Sequence, residues 1–152
     1  MASGFTNHGL NLMMSTFFRG ATPPTTFYLA LCTSAATPTE ATNTLSELTQ
    51  IANGNGYTTN GVAVARNSTD FDTLTEDDAN HKALVQLKDE VWTATGGSLP
   101  GSGNGARWAV LTDDNATPAS RIVIAWFDLV SDRTVSVDQP LTLQNCELDL
   151  TQ

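Results

Sequence analysis

The side chains best equipped for chemistry in this chain are its carboxylates, and their densest group is Asp70, Asp72, Glu76, Asp77 and Asp78. A calcium loop of the EF-hand type places carboxylates at alternate positions, then a glycine for the sharp turn, then a distant glutamate binding through both oxygens. Only Asp70 and Asp72 show that alternation, so the segment Asn67–His81 reads as a solvated acidic loop. Asp113-Asp114-Asn115 reads as a turn on the same argument. Gly101-Ser102-Gly103-Asn104-Gly105 has the glycine density of a phosphate loop. It lacks the Lys-Ser/Thr of such loops and leads into a strand, where a phosphate cradle opens a helix. It is expected to be a flexible tip. His8 and His81 stand without a Cys, Ser or metal partner at a recognisable spacing, and a catalytic imidazole needs an oriented nucleophile or acid beside it. The chain is therefore read as a non-enzyme, with no catalytic residues, no metal ligands and no cofactor.

The remaining reactive types fall inside apolar patterns. Cys32 and Cys146 are the two cysteines and have no Cys-x-x-Cys spacing. They are expected to be buried small hydrophobes, not a redox or zinc pair. Trp92, Trp108 and Trp126 all lie in strand-like runs, where a core role outweighs a ligand-stacking role. The formal net charge of −9, from 7 basic and 16 acidic residues, argues against nucleic acid, which requires clustered Lys and Arg. It argues equally against anionic membranes. No apolar run reaches the roughly 18 residues of a membrane-spanning helix, and no basic region precedes the first apolar segment as it would in a secretory signal.

These side chains must be positioned by a β-rich scaffold of one domain, a size that buries about 68–70% of its unfolded surface without disulfides. The stretch Arg107–Leu150 carries most of the pattern, with strands expected at Arg107–Thr112, Arg121–Leu129, Thr134–Val137, Leu141–Leu143 and Glu147–Leu150. β-Branched and aromatic residues fill these runs, and Asp, Asn, Pro and Ser punctuate them. In Arg121–Leu129, Trp126 shares a face with Ile122 and Ile124 while Phe127 points opposite, so both faces are expected to be covered. Earlier strands are expected at Thr26–Thr33, Gly61–Arg66 and Lys82–Leu87, with Val91–Ala94 following. Thr44–Ile51 reads as one or two helical turns with Leu45, Leu48 and Ile51 inward. The fold expected is mainly β: an antiparallel β-sandwich with one short N-terminal helix and long loops.

The helix is expected over His8–Gly20. Leu10, Met13, Met14, Phe17 and Phe18 follow helical spacing, Thr6 or Asn7 serves as N-cap, and Gly20 as C-cap. Its expected role is packing on the sheet, ahead of a partner-binding one. Residues 1–9 are expected to form an N-terminal arm, ordered only on binding, with Phe5 as its isolated anchor; residues 10–152 form the single domain.

Several of these pieces together resemble a group of small bacteriophage virion proteins, variously described as capsid decoration (cement) or tail-fibre-like proteins. The resemblance rests on Phe17-Phe18-Arg19-Gly20 at the helix end and on Tyr28-Leu29-Ala30-Leu31-Cys32-Thr33-Ser34. It continues through Glu47, Gly56-Tyr57, the Trp108–Asp113 strand and turn, and the alternating Leu141–Leu150 segment. The chain departs from the group where Thr58-Thr59-Asn60 separates Gly-Tyr from the next strand, and in the long Gly96–Gly105 loop. The resemblance implies a decoration protein on the outer face of the major capsid lattice, assembled in the bacterial host cytoplasm. Its partners would be the major capsid protein and itself, as a homotrimer, with no nucleic acid and no membrane. The candidate interface is Phe5, Asn7 and Leu10 at the N-terminus, with Ser98, Leu99 and Asn104 in the glycine-rich loop. A tail-tip or fibre-associated protein is the alternative within the same class. A carbohydrate-binding sandwich, stacking sugars on exposed aromatics, is the alternative from another class.

Overall fold

Strand β2 (Thr26–Cys32) is apolar on both sides, and it lies inside the larger sheet with a neighbour on either side. It pairs antiparallel with β3 (Val62–Ala65) and β7 (Ala106–Thr112); β7 pairs with β8 (Val123–Arg133), and β8 with β1 (Ser3–Phe5). The order is β1-β8-β7-β2-β3. A three-stranded sheet, β10 (Cys146–Thr151), β5 (Lys82–Leu87) and β4 (Thr73–Asp77), and a ribbon of β6 (Glu90–Thr93) with β9 (Pro140–Leu143) complete the strands. This computed structural model describes residues 1–151. The protein is mainly β, with antiparallel strands in a sandwich-like arrangement and one α-helix, α1 (Asn7–Arg19).

Two apolar clusters form, one on each face of the large sheet. Leu29, Leu31, Leu111 and Phe127 meet Leu87 and Leu148 from the second sheet and Leu141 and Leu143 from the ribbon. On the other face Ala30, Cys32, Trp108, Val110 and Val123 are covered by Leu45 and Leu48, which flank a 3-10 turn at Leu45–Glu47. Glu47 holds that turn by accepting from the Thr44 N–H at 3.0 Å, a capping arrangement that satisfies an otherwise unpaired donor. Tyr57, fully buried, joins the layers: its hydroxyl accepts from the Leu31 N–H at 3.1 Å and donates to Gln50 Oε1 at 2.8 Å.

Both faces of β8 are covered as expected, but the faces divide differently. Leu111 pairs with Ala125 and Thr112 with Val123, so Ile124 is an extra residue on β8. Such a bulge reverses the alternation locally. It places Ile124 with Phe127 in the main core and Trp126 with the second cluster. The acidic segment is no mere loop: Thr73–Asp77 pairs with β5, because Thr and Leu there suffice for a strand that needs only one neighbour. Conversely Thr134–Val137 is not a strand. β8 runs on to Arg133, and only Val135 bridges, to Leu99.

The largest difference concerns residues 1–9. They form no free arm: Ser3, Gly4 and Phe5 pair with Phe127, Trp126 and Ala125, and the Asp128 N–H donates to the Ala2 carbonyl at 2.7 Å. Backbone pairing supplies what the sparse side chains could not.

Candidate interaction surface

Helix α1 is held by its first turn. Thr6, wholly buried, caps it by accepting from the Gly9 N–H at 2.9 Å, and its own N–H donates to the Ile124 carbonyl at 3.0 Å. Gly9 is the one buried residue of the helix and lies against the β8 backbone. Any Cβ there would fall 2.6 Å from Ile124 Cα. At the far end Gly20 takes the left-handed conformation (φ 69°), and the Ala21 N–H reaches back to the Ser15 carbonyl at 3.1 Å, so the helix ends on a left-handed glycine.

Between these ends the helix leaves its apolar side open. Phe17 is 83% exposed, Phe18 72%, Met14 61% and Met13 37%. The expectation that this face packs on the sheet is not met beyond Leu12, which does reach the core. The reason is geometric: Gly9 fixes the first turn of the helix against the β8 backbone at Ile124, and Met13, Met14, Phe17 and Phe18 in the later turns are left uncovered. Phe17 and Phe18 stand edge to face, 5.0 Å between centroids.

The ridge residues Met13, Met14, Phe17 and Phe18 form one wall of a groove of about 560 Å³. Its floor is core, at Leu111, Ile124 and Leu148; Phe27 and Phe71, edge to face at 5.5 Å, form a wall, and Leu150 stands at the rim, 44% exposed. Among the described residues, Arg66 is the sole charged one lining it. With aromatic side chains presenting about 150–250 Å² each, Phe17, Phe18, Met13, Met14 and Leu150 together expose roughly 600 Å² of apolar surface. Covering that area represents roughly 15 kcal/mol of gross transfer energy, much of it offset by the entropy of association.

Several acidic and basic side chains serve the scaffold. Asp70 is buried; it accepts from Lys88 Nζ at 2.7 Å and from the Ala65 N–H at 2.6 Å. The Lys88 hydrogen bond, then the Ala65 amide, holds its carboxyl below the ordinary value. Arg107 pairs with Asp128 and lies over the Trp108 ring. Arg121, buried, stacks on Tyr28 at 3.6 Å and donates to the Asn60 carbonyl. Among the described residues, no three His, Cys, Asp or Glu side chains converge on a possible metal position. Cys32 and Cys146 are free and buried in different clusters, and burial pushes both thiols up to about 12.

The residues singled out from the sequence do not converge. Phe5 is half-buried on the core and lines the groove. Asn7 is exposed at the helix start, its N–H donating to the Glu40 carbonyl at 2.7 Å; Leu10 is half-buried. Ser98 and Asn104 are exposed, but Leu99 is wholly buried and bridged to Val135, so it anchors its loop and offers nothing to a partner. That loop leads into the Ala106 end of β7, whereas the groove floor uses Leu111, about 17 Å along the strand. Trp92 and Trp108 are buried, and half-buried Trp126 packs edge-on against Trp108, so the three tryptophans themselves offer little surface for stacking a sugar. Sequence reasoning had the ridge residues on a helix but not exposed. The doubled pairs Met13-Met14 and Phe17-Phe18 span a wider arc than one buried stripe needs, and that was the available clue. The chain matches no family model, no curated protein and no solved structure.

Proposed function

We propose that this chain is a structural protein of a bacteriophage virion, a decoration (cement) protein that binds the outer face of the major capsid lattice. The observation carrying an assembly role is the uncovered α1 ridge and groove: apolar patches of this extent mark surfaces that meet another macromolecule. The resemblance of the Phe17–Gly20 and Tyr28–Ser34 segments to phage decoration proteins directs that role to the virion. With residues 1–6 tied into the sheet, the surface left for the shell is the loop Ser98–Asn104. It carries no charge, projects Ser102, Gly103 and Asn104 into solvent, and is pinned at its base by Leu99 and by Asn55 Nδ2 donating to the Ser98 carbonyl at 2.8 Å. A pinned loop loses little entropy on docking. Each bound copy, self-associated as a trimer in this reading, joins neighbouring capsid subunits and adds its contact energy to the lattice.

The test is immunogold labelling of virions together with binding of the purified protein to heads from a phage deleted for this gene. Saturable labelling of heads, lost when Ser102–Asn104 is replaced by a single glycine, is the expected result. Gold confined to tails would replace this reading by the tail-tip or fibre alternative, and unlabelled virions would end it.

A further inference from the structure

We infer that the α1 groove is covered by a second copy of this chain: the Phe17 and Phe18 wall of one molecule packs into the groove of its partner and receives the partner's wall in return. This deepens the assembly reading by naming the occupant of that surface. The first argument is shape. Phe17 and Phe18 are a wall of the groove itself, so one and the same patch on each copy carries both the projecting rings and the cleft that takes them, and a contact of that patch with itself is isologous and closes. The second is size. The groove, at about 560 Å³, has the capacity of clefts that enclose whole apolar ligands, roughly 300–1,000 Å³. The roughly 600 Å² of open apolar surface, extended by the half-buried walls Pro23, Pro24, Phe27 and Phe71, approaches the about 800 Å² that each partner contributes to a stable complex.

The third argument is charge. At net −9, copies of this protein repel one another over most of their surface. Yet residues 1–39 contain no carboxylate at all and one basic residue, Arg19; every acidic residue lies at position 40 or beyond. The groove adds Arg66, the single charge among its described residues. Among the described residues, no carboxylate lines the groove; the neighbouring acidic group, Glu76, Asp77 and Asp78, gathers beyond Leu150, which borders both. Copies that meet on the α1 side of the groove thus avoid setting carboxylate against carboxylate, a juxtaposition that opposes association. The docked aromatics also contribute edge-to-face partners: Phe27 and Phe71 already form such a pair at the groove wall.

Sedimentation velocity of the isolated protein, from low micromolar to near-millimolar concentration, tests the inference. The wild type is expected to sediment as a closed dimer or trimer. Phe17→Ser/Phe18→Ser, changing side chains that are 83% and 72% exposed, is expected to leave the circular dichroism spectrum intact and raise the dissociation constant at least 100-fold. Leu150→Lys, approaching from the groove side, is expected to do the same, and a photo-reactive phenylalanine analogue at position 17 is expected to cross-link to Phe27 or Phe71 segments of an isotopically distinct copy. A wild type that stays monomeric throughout overturns the inference. If that monomer binds phage heads through Phe17 and Phe18, the shell is the occupant; if it floats with phosphatidylcholine vesicles, a lipid surface is. Oligomers unaffected by either variant also overturn it. A closed oligomer on virions whose heads stay unlabelled upholds the self-contact and removes the capsid reading.

Discussion

Gly9→Ala is the sharpest probe of how α1 is set. In an exposed helix this change stabilises by up to about 1 kcal/mol, since glycine is the poorer helix former. Here the new methyl would lie 2.6 Å from Ile124 Cα and closer still to the Ile124 carbonyl oxygen. Those atoms belong to the β8 backbone at its bulge, so no side-chain rotation relieves the overlap; helix or strand must move. Overpacking of this kind costs about 1–3 kcal/mol, and a backbone neighbour puts the cost at the upper end. Net of the propensity gain, a loss of about 2 kcal/mol is expected. For a domain of this length that lowers Tm by roughly 4–8 °C. Differential scanning calorimetry of dilute protein measures it, with Asn11→Ala as the control, an exposed helical position where the same added propensity should raise Tm slightly. A Gly9→Ala Tm equal to or above wild type would mean that α1 is not seated on Ile124, and the placement of the ridge would fall with it.

Phe127→Ala, at a wholly buried site in the main cluster, should cost about 3–5 kcal/mol in urea denaturation, and Trp126→Ala less, about 2 kcal/mol. Trp126 is half-buried with an unpaired indole N–H, so a larger loss there than at Phe127 would contradict the bulge assignment. Asp70 gives the acid response a defined sign. Its folded pKa is lowered, so its contribution is fully present above the unfolded value of about 3.9 and fades as pH falls through the lower folded value. The stability gap between wild type and Asp70→Asn should therefore be wide at neutral pH and close in strong acid; a gap independent of pH counts against the Lys88 pairing.

What the sequence determined by itself was everything governed by near neighbours. The antiparallel β class, the buried Leu29–Leu31 face, the inward Leu45, Leu48 and Ile51, and the cap residues Thr6 and Gly20 follow from side-chain period and from backbone donors that must be met within a few residues. The ridge residues were legible as a helix for the same reason. Tertiary structure alone decided where that helix lies, since the decision rests on Gly9 meeting a bulge more than a hundred positions away in the chain. Period-two alternation cannot reveal an inserted residue, so Ile124 and Trp126 changed faces unannounced. Strand β1 was equally hidden: Ser3, Gly4 and Phe5 owe their order to β8 backbone groups, and main-chain hydrogen bonding leaves no mark on side-chain type. The loop at Leu99 shows the same limit from the other side, because a lone leucine among glycines looks like a contact until Val135 is found bridged to it. Burial is a property of what arrives from elsewhere in the chain, and that is why the apolar face of α1, conspicuous as residues, became a surface only in the fold.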